Sequence, residues 1–175
     1  AKHGNRAASS KCGSADVLEA LGVNINLTPQ KAKQVLEKVG MVFLFAPMFH
    51  PAMKVVGPVR KELKIRTIFN YLGPFLNPGR VTKMLFGVAN LELAQKFLEI
   101  AEKLSFKHLI IVTSKDGMDE ISVASETQAF ELKDGKVRKF IIDPRKLGFP
   151  EYKKEDLIGG DPVLNAQIAK DILSG

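Results

Sequence analysis

The sequence predicts an α/β domain with a mainly parallel central sheet flanked by helices and one antiparallel hairpin. Three observations lead to this fold class. Continuous apolar runs of strand length recur along the chain, as in strands that are buried on both faces of a parallel sheet. Amphipathic helical stretches alternate with these runs, which favours right-handed crossovers between parallel strands. Late in the chain, Asp134 and Gly135 separate two strand-like runs and are typical of a tight hairpin turn.

The first third of the chain predicts two helices and a strand. Ser14 can cap a helix in which Asp16 suits the first turn and which Gly22 ends in a left-handed turn. Thr28 followed by a proline begins a second helix, which closes at a further glycine. The apolar run MVFLFA, residues 41–46, then predicts a strand buried on both faces.

The remainder predicts further helices and the rest of the sheet. Residues 48–63 indicate one or two helical segments, interrupted by Pro51 and by Gly57 with Pro58. The stretches KMLFGVAN, LELAQKFLEIAEKL and HLIIVTS then predict a strand, an amphipathic helix and a buried strand. A last helix follows the hairpin, with Asp161 as its cap and proline at its first position.

Composition limits the class of protein. The chain has 175 residues, of which 45% are hydrophobic, and this length favours a single domain. No apolar run reaches the length of a membrane helix and no secretory signal is present, so we expect a cytoplasmic protein without a membrane partner. The single Cys12 excludes an internal disulfide and a cysteine-based zinc site. A formal net charge of +7 suits nucleic acid, an acidic small molecule or simply a solvated surface.

The segment KHGNRAASS, which precedes the first helix, is rich in hydrogen-bond donors and poor in acceptors. Lys2 and Arg6 supply positive charge, Gly4 permits close backbone approach, and Ser9 and Ser10 offer hydroxyl groups to phosphate oxygens. The helix N-terminus that follows also favours an anion. The alternative is a polar surface loop with a helix cap, because the segment matches no generic phosphate-loop pattern.

Two acidic residues, Asp119 and Glu120, follow the predicted strand HLIIVTS. Ligands of parallel sheets sit beyond the carboxyl ends of the strands, and adjacent carboxylates there can hold Mg²⁺. The alternative is a pair of solvated acids in a turn.

His50 and Arg60 follow the predicted strand of residues 41–46. An arginine can bind a carboxylate through two parallel hydrogen bonds, which a lysine cannot imitate. The alternatives are a helix-capping histidine and an exposed arginine within a charged cluster. Together, an anion-binding loop, a carboxylate pair and an arginine suggest a small anionic substrate and Mg²⁺.

The sequences of four separated segments also resemble a known protein family. AKHGNRAASSKCGSADVLEALGV, FLFAPMFHPAMK, VRKELKIRTIFNYLGPFLNP and GGDPVLNAQIAKDIL resemble the anthranilate phosphoribosyltransferase family. The resemblance implies a nucleoside phosphorylase/phosphoribosyltransferase-like α/β domain over residues 1–175. It also implies a Mg²⁺-dependent pentosyltransferase of tryptophan biosynthesis, in which the amine of anthranilate displaces pyrophosphate from 5-phosphoribosyl 1-pyrophosphate.

The same resemblance implies site residues but no catalytic acid or base. Residues that would bind the phosphoribosyl donor are Lys2, His3, Gly4, Asn5, Arg6, Ala7, Ala8, Ser9, Ser10 and Ser14. Residues that would bind anthranilate are Asn5, His50, Arg60 and Pro74. Asp119 and Glu120 would be the Mg²⁺ ligands.

The chain also departs from the family pattern. The family's N-terminal helical domain and its glycine-rich GTGGD segment are absent, Cys12 stands where serine is common, and SVASETQ replaces a sequence of the SPTGPT type. We therefore expect residues 1–175 to be a partial α/β domain that is inactive by itself. The complete enzyme is expected to be a homodimer.

Two other functions are compatible with parts of the sequence. A pyrimidine nucleoside phosphorylase has a related fold and phosphate loop, but its loop differs from KHGNR and it gives no reason for Arg60. A basic nucleic-acid-binding module would explain the charge. The chain has only two tyrosines and no tryptophan for base stacking, however, and no recognised binding motif. The sequence therefore favours small-molecule substrates and no nucleic acid.

Overall fold

A computed structural model describes residues 1–7, 10–63, 67–104 and 106–175, with the exception of the side chains of Lys54, Arg60, Lys61 and Asn70. The chain divides into two compact units. Unit 1 comprises Ala1–Arg80 and Gly159–Gly175, and unit 2 comprises Val81–Ile158.

The described helices and strands alternate along most of the chain. In order they are β1 (Lys2–Gly4), α1 (Ser14–Ala20), α2 (Pro29–Val39), β2 (Phe43–Phe45), α3 (Ala46–Phe49), α4 (Met53–Leu63), β3 (Lys83–Gly87), α5 (Leu91–Glu102), β4 (His108–Ser114), β5 (Thr127–Lys133), β6 (Lys136–Ile142) and α6 (Pro162–Ser174). Two short 3-10 helices, Ile68–Asn70 and Gly73–Leu76, lie in the turn-rich segment after α4.

Unit 1 is built around the parallel pair of β1 and β2. The side chains of β2 are buried on both faces, as its apolar sequence predicts. Phe43 and Phe45 pack with Ala15 of α1, whereas Leu44, which points to the opposite face, packs with Ala32 of α2. The strand therefore joins two small apolar clusters and fixes β1, with the segment that follows it, beside α1.

The helix ends of unit 1 match most of the sequence predictions. The hydroxyl of Thr28 accepts a hydrogen bond from the backbone N–H of Lys31 at 3.3 Å, which confirms the cap of α2. Gly22 has a φ of 84°, which confirms the left-handed turn after α1. The predicted cap at Ser14 is wrong: Gly13 is the N-cap of α1, and Ser14 is its first helical residue.

The second correction concerns α4. Pro51 lies between α3 and α4 as expected, but α4 continues through Gly57 and Pro58 to Leu63. A proline within a helix removes one backbone hydrogen bond, while its fixed φ remains helical. The sequence signal for a break was therefore stronger than the structural effect.

Unit 2 is a four-stranded sheet in the order β3-β4-β5-β6. The strands β3 and β4 are parallel and are connected through α5, while β5 is antiparallel to both of its neighbours. Among the described residues the sheets are therefore mixed, with β1-β2 and β3-β4 as the parallel pairs. The predicted α/β class, its flanking helices and its antiparallel hairpin are confirmed.

The hairpin of β5 and β6 turns at Asp134 and Gly135, whose φ angles are 49° and 74°. Positive φ at both central residues is the conformation that the Asp-Gly sequence predicts. The core of this unit contains Leu109 and Ile111 of β4, both fully buried, and Phe97 of α5. None of the described helices is long and apolar enough to span a bilayer.

Candidate active site

The segment after β1 wraps around the N-terminus of α1 and is held there by one carboxylate. Oδ2 of Asp16 accepts hydrogen bonds from the backbone N–H groups of Ala7 and Gly13, both at 2.9 Å. The backbone carbonyl of Asn5 accepts a third bond from the N–H of Ala15 at 3.3 Å. Asp16 thus ties the early part of the loop to its end, a role beyond the favourable first-turn charge that the sequence indicated.

Glycine is needed at both ends of this loop. A Cβ on Gly4 would lie 2.6 Å from Oγ of Ser14 and 2.9 Å from the ring of Phe43. A Cβ on Gly13 would lie 2.4 Å from the backbone nitrogen of Ala7. The close approach that Gly4 permits is therefore, in this structure, an approach to α1 and β2.

Arg6 is bound to two carboxylates of α1. Its guanidinium donates to both carboxylate oxygens of Glu19, at 2.7 and 2.9 Å, and to Oδ1 of Asp16 at 3.1 Å. The hydrogen bonds to Glu19, followed by that to Asp16, raise the pKa of Arg6. A phosphate at Arg6 would have to compete with these carboxylates, and the phosphate-binding role of Arg6 stays a prediction.

The other predicted donor-loop residues have different settings. Lys2 is exposed in β1. The hydroxyl of Ser10 donates to the carbonyl of Cys12 at 3.1 Å, and Oδ1 of Asn5 accepts the backbone N–H of its neighbour Arg6 at 2.8 Å. The predicted residues Ala8 and Ser9 lie outside the described residues.

A pair of histidines, His3 and His50, connects β1, the end of α3 and the 3-10 helix that begins at Gly73. Nε2 of His3 lies 3.1 Å from Nε2 of His50, and Nδ1 of His3 lies 3.3 Å from the carbonyl oxygen of Gly73. Since a carbonyl only accepts, Nδ1 of His3 carries the proton in this contact. A neutral His3 then accepts a hydrogen bond from Nε2–H of His50.

The environment of His3 disfavours its charged form. Burial has the largest effect and lowers the pKa of His3 below its usual 6.5, and the nearby His50 and Lys2 lower it further. The hydrogen bond to the Gly73 carbonyl acts in the opposite direction but does not outweigh them. The structure therefore favours a neutral imidazole at this position near pH 7.

The structure brings some of the predicted anthranilate residues together. Gly73, the partner of His3, directly precedes Pro74 in the 3-10 helix Gly73–Leu76, so His50 and this helix both border His3. Arg60 lies in α4, but its side chain is outside the described part of the structure.

The predicted metal ligands, Asp119 and Glu120, belong to unit 2 and are exposed in the turn that follows β4. A Cβ on Gly87, at the end of β3, would lie 1.5 Å from the carbonyl oxygen of Asp119. The turn therefore lies directly over the carboxyl end of β3 and requires glycine there. This is the edge of a parallel strand pair at which ligands are expected.

The donor chemistry of this turn suits Mg²⁺. Carboxylate oxygens are hard ligands, and Mg²⁺ in proteins is often held by one or two carboxylates, with water and substrate phosphate completing its shell. Within the described residues no third His, Cys, Asp or Glu joins such a cluster. The pair can therefore supply two of the oxygen ligands that such a metal requires.

Sequence reasoning missed two residues that shape this turn. Gly87 lies in the predicted strand KMLFGVAN, and nothing local announces its contact with Asp119. Asp116 precedes Gly117 directly after β4, and an Asp-Gly pair at the end of a buried strand is a turn signal that could have identified it.

Comparison with known proteins gives a consistent result. The model of the glycosyl transferase family, a/b domain, matches residues 1–175. The chain is 49% identical over 175 residues to an anthranilate phosphoribosyltransferase of Lachnoclostridium phytofermentans. The aligned region covers all of this chain and 52% of that protein. The chain thus spans about half the length of the curated relatives it matches.

Solved structures agree with the sequence comparison. Anthranilate phosphoribosyltransferase from Thermus thermophilus superposes with a TM-score of 0.84 at 43% identity, over 96% of this chain and 49% of that one. The Saccharomyces cerevisiae enzyme in complex with PRPP and Mg superposes with a TM-score of 0.83 at 30% identity, over 97% of this chain and 46% of that one.

Proposed function

The chain belongs to the glycosyl transferase family, whose a/b-domain model matches residues 1–175, and on this basis we propose that the protein is an anthranilate phosphoribosyltransferase of tryptophan biosynthesis. The observation that carries the proposal is the likeness of the whole chain to enzymes of that name. The proposed substrates are 5-phosphoribosyl 1-pyrophosphate, hereafter the donor, and anthranilate, the acceptor.

The proposed reaction exchanges one bond for another at the anomeric carbon of the ribose. The amine nitrogen of anthranilate forms a bond to this carbon, the bond from the carbon to the pyrophosphate oxygen breaks, and pyrophosphate leaves with the electron pair. The amine then releases one proton to solvent. Because positive charge develops on the ribose and negative charge on the leaving group, positioning and charge stabilisation contribute more than acid–base catalysis.

The donor would lie against the loop between β1 and α1. Lys2, Ser10 and Ser14 offer an ammonium and two hydroxyl groups, and this loop leads into the N-terminus of α1, which favours anions. Arg6 would also bind the donor, while Asp16 would hold the loop in place through the N–H groups of Ala7 and Gly13. His3, Gly4, Asn5, Ala7, Ala8 and Ser9 complete the proposed donor set.

Anthranilate would lie beside the histidine pair. His50 and Pro74 would line its site, Asn5 would contact it as well, and Arg60 would bind its carboxylate. What supports this placement is the contact of His3 with both His50 and the residue before Pro74. A neutral His3 would not repel the positive charge that develops during transfer.

Asp119 and Glu120 would hold Mg²⁺. When bound, Mg²⁺ neutralises the charge that builds up on the departing pyrophosphate. The exposure of both carboxylates leaves them accessible to a metal ion. The complex of the yeast relative with PRPP and Mg supports the use of this metal.

The proposal extends to the setting of the enzyme. We propose a homodimer in the cytoplasm that acts on small molecules and has neither a nucleic-acid nor a membrane partner. The comparisons do not favour the nucleoside phosphorylase alternative, because the relatives described above carry the anthranilate phosphoribosyltransferase name.

Steady-state kinetics of Arg60→Lys test the function in the protein as its gene encodes it. Pyrophosphate release should require anthranilate. A charge-assisted hydrogen bond contributes about 1.5 to 3 kcal/mol, so the variant should raise the KM for anthranilate about ten- to a hundredfold and leave that for the donor nearly unchanged. The control is Glu62→Gln, an exposed neighbour in the same helix, which should change neither KM.

Two results would count against the proposal. Pyrophosphate release without anthranilate would show that anthranilate is not the acceptor. Equal changes in both KM values would show that Arg60 does not bind the acceptor specifically.

A further inference from the structure

The turn that carries Asp119 and Glu120 is held by a third carboxylate, Asp116. Oδ1 of Asp116 accepts the backbone N–H of Met118 at 3.0 Å, and Oδ2 accepts the hydroxyl of Ser122 at 2.7 Å. These partners lie on either side of the carboxylate pair along the chain. One side chain therefore closes the loop that contains both proposed metal ligands.

Ser122 connects this loop to the interior of unit 2. It is 2% exposed, its Oγ accepts the backbone N–H of Ala124 at 3.0 Å, and its own N–H donates to Oγ1 of Thr127 at 3.1 Å. Thr127 is fully buried at the start of β5. The far side of the turn is thus fixed to the sheet through side chains with little freedom to move.

The turn is also confined from the side of β3. The space that a Cβ would need on Gly87 is filled by the backbone carbonyl of Asp119. On the outer side, Nζ of Lys154 donates to the backbone carbonyl of Asp116 at 2.6 Å. The backbone of the turn is therefore held by contacts from β3, β5 and the segment around Lys154.

Asp116 is suited to hold the turn. Each of its carboxylate oxygens already accepts a hydrogen bond from the protein. Burial acts to raise the pKa of Asp116, but hydrogen bonds from Ser122, Met118 and Ser114 outweigh it and hold the pKa below its usual value. The group is therefore ionised at neutral pH, the form that accepts these bonds most strongly.

We propose that Asp116 is the positioning residue of the metal site, and that it acts through the backbone of residues 116–122 to hold Asp119 and Glu120 in one arrangement before the cation arrives. The inference rests on the proposed function. Its physical basis is that a cation bound by a preformed turn does not have to order that turn as it binds. Partners that orient metal ligands typically change metal affinity about 10- to 100-fold when they are removed.

Asp116→Asn is the informative variant. It preserves the size of the side chain but replaces one acceptor oxygen and the negative charge, so it should loosen the turn without leaving a void. Lys153→Met is the matched control, because it removes the charge of the exposed lysine next to Lys154 and leaves in place every contact of the turn described above. Ser122→Ala, which removes the partner of Oδ2, should behave like Asp116→Asn.

The measurement uses Mn²⁺ as a spectroscopic probe in place of Mg²⁺, together with the donor, in the protein as its gene encodes it. Electron paramagnetic resonance gives the affinity for Mn²⁺, and hydrogen exchange gives the protection of the Met118 amide. We expect Asp116→Asn and Ser122→Ala to weaken Mn²⁺ binding about tenfold or more and to speed exchange at Met118, with kcat at saturating metal nearly unchanged. Lys153→Met should change Mn²⁺ affinity less than threefold.

The outcomes separate this inference from the function on which it rests. Asp119→Asn and Glu120→Gln should each weaken Mn²⁺ binding, and failure of both to do so would overturn the metal assignment and the positioning role with it. If those variants lose Mn²⁺ while Asp116→Asn keeps wild-type affinity, the metal assignment stands and the positioning role is overturned. Weaker Mn²⁺ binding with unchanged exchange at Met118 would also overturn it, because the effect would not pass through the turn.

Discussion

At the scale of single residues, His3 links the geometry of the candidate site to pH. Burial lowers the pKa of His3, so the unfolded chain, with a pKa near 6.5, takes up the proton more readily than the folded chain does. The contribution of His3 to the free energy of unfolding should therefore be fully present above pH 6.5 and should be lost as the pH drops from there toward the lowered pKa of the folded state.

His3→Gln should reduce this dependence, because glutamine can form the same kinds of hydrogen bond but does not titrate. Urea denaturation of both proteins between about pH 5 and pH 8 measures it. The difference in unfolding free energy between wild type and variant should shift in favour of the variant toward the acidic end. A constant difference over the whole range would show that the protonation of His3 is not linked to folding.

At the scale of elements, the loop between β1 and α1 depends on Asp16 more than on Arg6. Asp16→Ala leaves the N–H groups of Ala7 and Gly13 without their shared acceptor. We expect a lower free energy of unfolding and weaker binding of the donor, because both N–H groups lose their acceptor. Chemical denaturation and calorimetry with the donor and Mg²⁺ measure the two effects.

Glu19→Ala is the matched control, since it also removes a partner of Arg6 but no partner of the loop backbone. As an exposed ion pair, this contact should contribute little to the free energy of unfolding. If the two variants weaken donor binding equally, the ion pairs of Arg6, and not the cap of Asp16, shape the loop.

The elements also show what sequence can and cannot predict. The caps of α2 and the Asp134-Gly135 hairpin follow from local rules, and both are confirmed. The start of α1 does not, because the return of the loop makes Gly13 the better cap even though Ser14 is the stronger local signal. Local rules likewise overestimated the break at Pro58.

The candidate site divides in the same way. The donor loop could be proposed from a contiguous segment, since its residue types are informative by themselves. The contact between His3 and His50 and the contact between Gly87 and Asp119 join residues that are far apart in sequence. Such pairs depend on how strands and turns pack, which a hydrophobic pattern does not specify.

At the scale of the whole molecule, the net charge of +7 is the property that a nucleic-acid-binding protein would share. For a protein that contacts six to ten phosphates, a rise in salt from about 50 to about 200 mM weakens the affinity for DNA by about 10³ to 10⁵. We expect little binding to a DNA duplex even at the lower salt concentration. Fluorescence anisotropy with a labelled duplex provides the measurement.

Calorimetry with the donor and Mg²⁺ under the same conditions is the positive control for a folded, competent protein. Tight duplex binding with a steep salt dependence would favour the nucleic-acid alternative over the proposed small-molecule function.

The edge of the four-stranded sheet has a consequence for the behaviour of the protein at high concentration. In the described part of the chain, β6 pairs only with β5, so its outer backbone groups could accept a strand from a second molecule. Lys136 and Lys139 lie along this exposed strand and would face like charges in such a pairing. Lysines on an edge strand oppose strand-to-strand association, so Lys136 and Lys139 would protect this edge against aggregation.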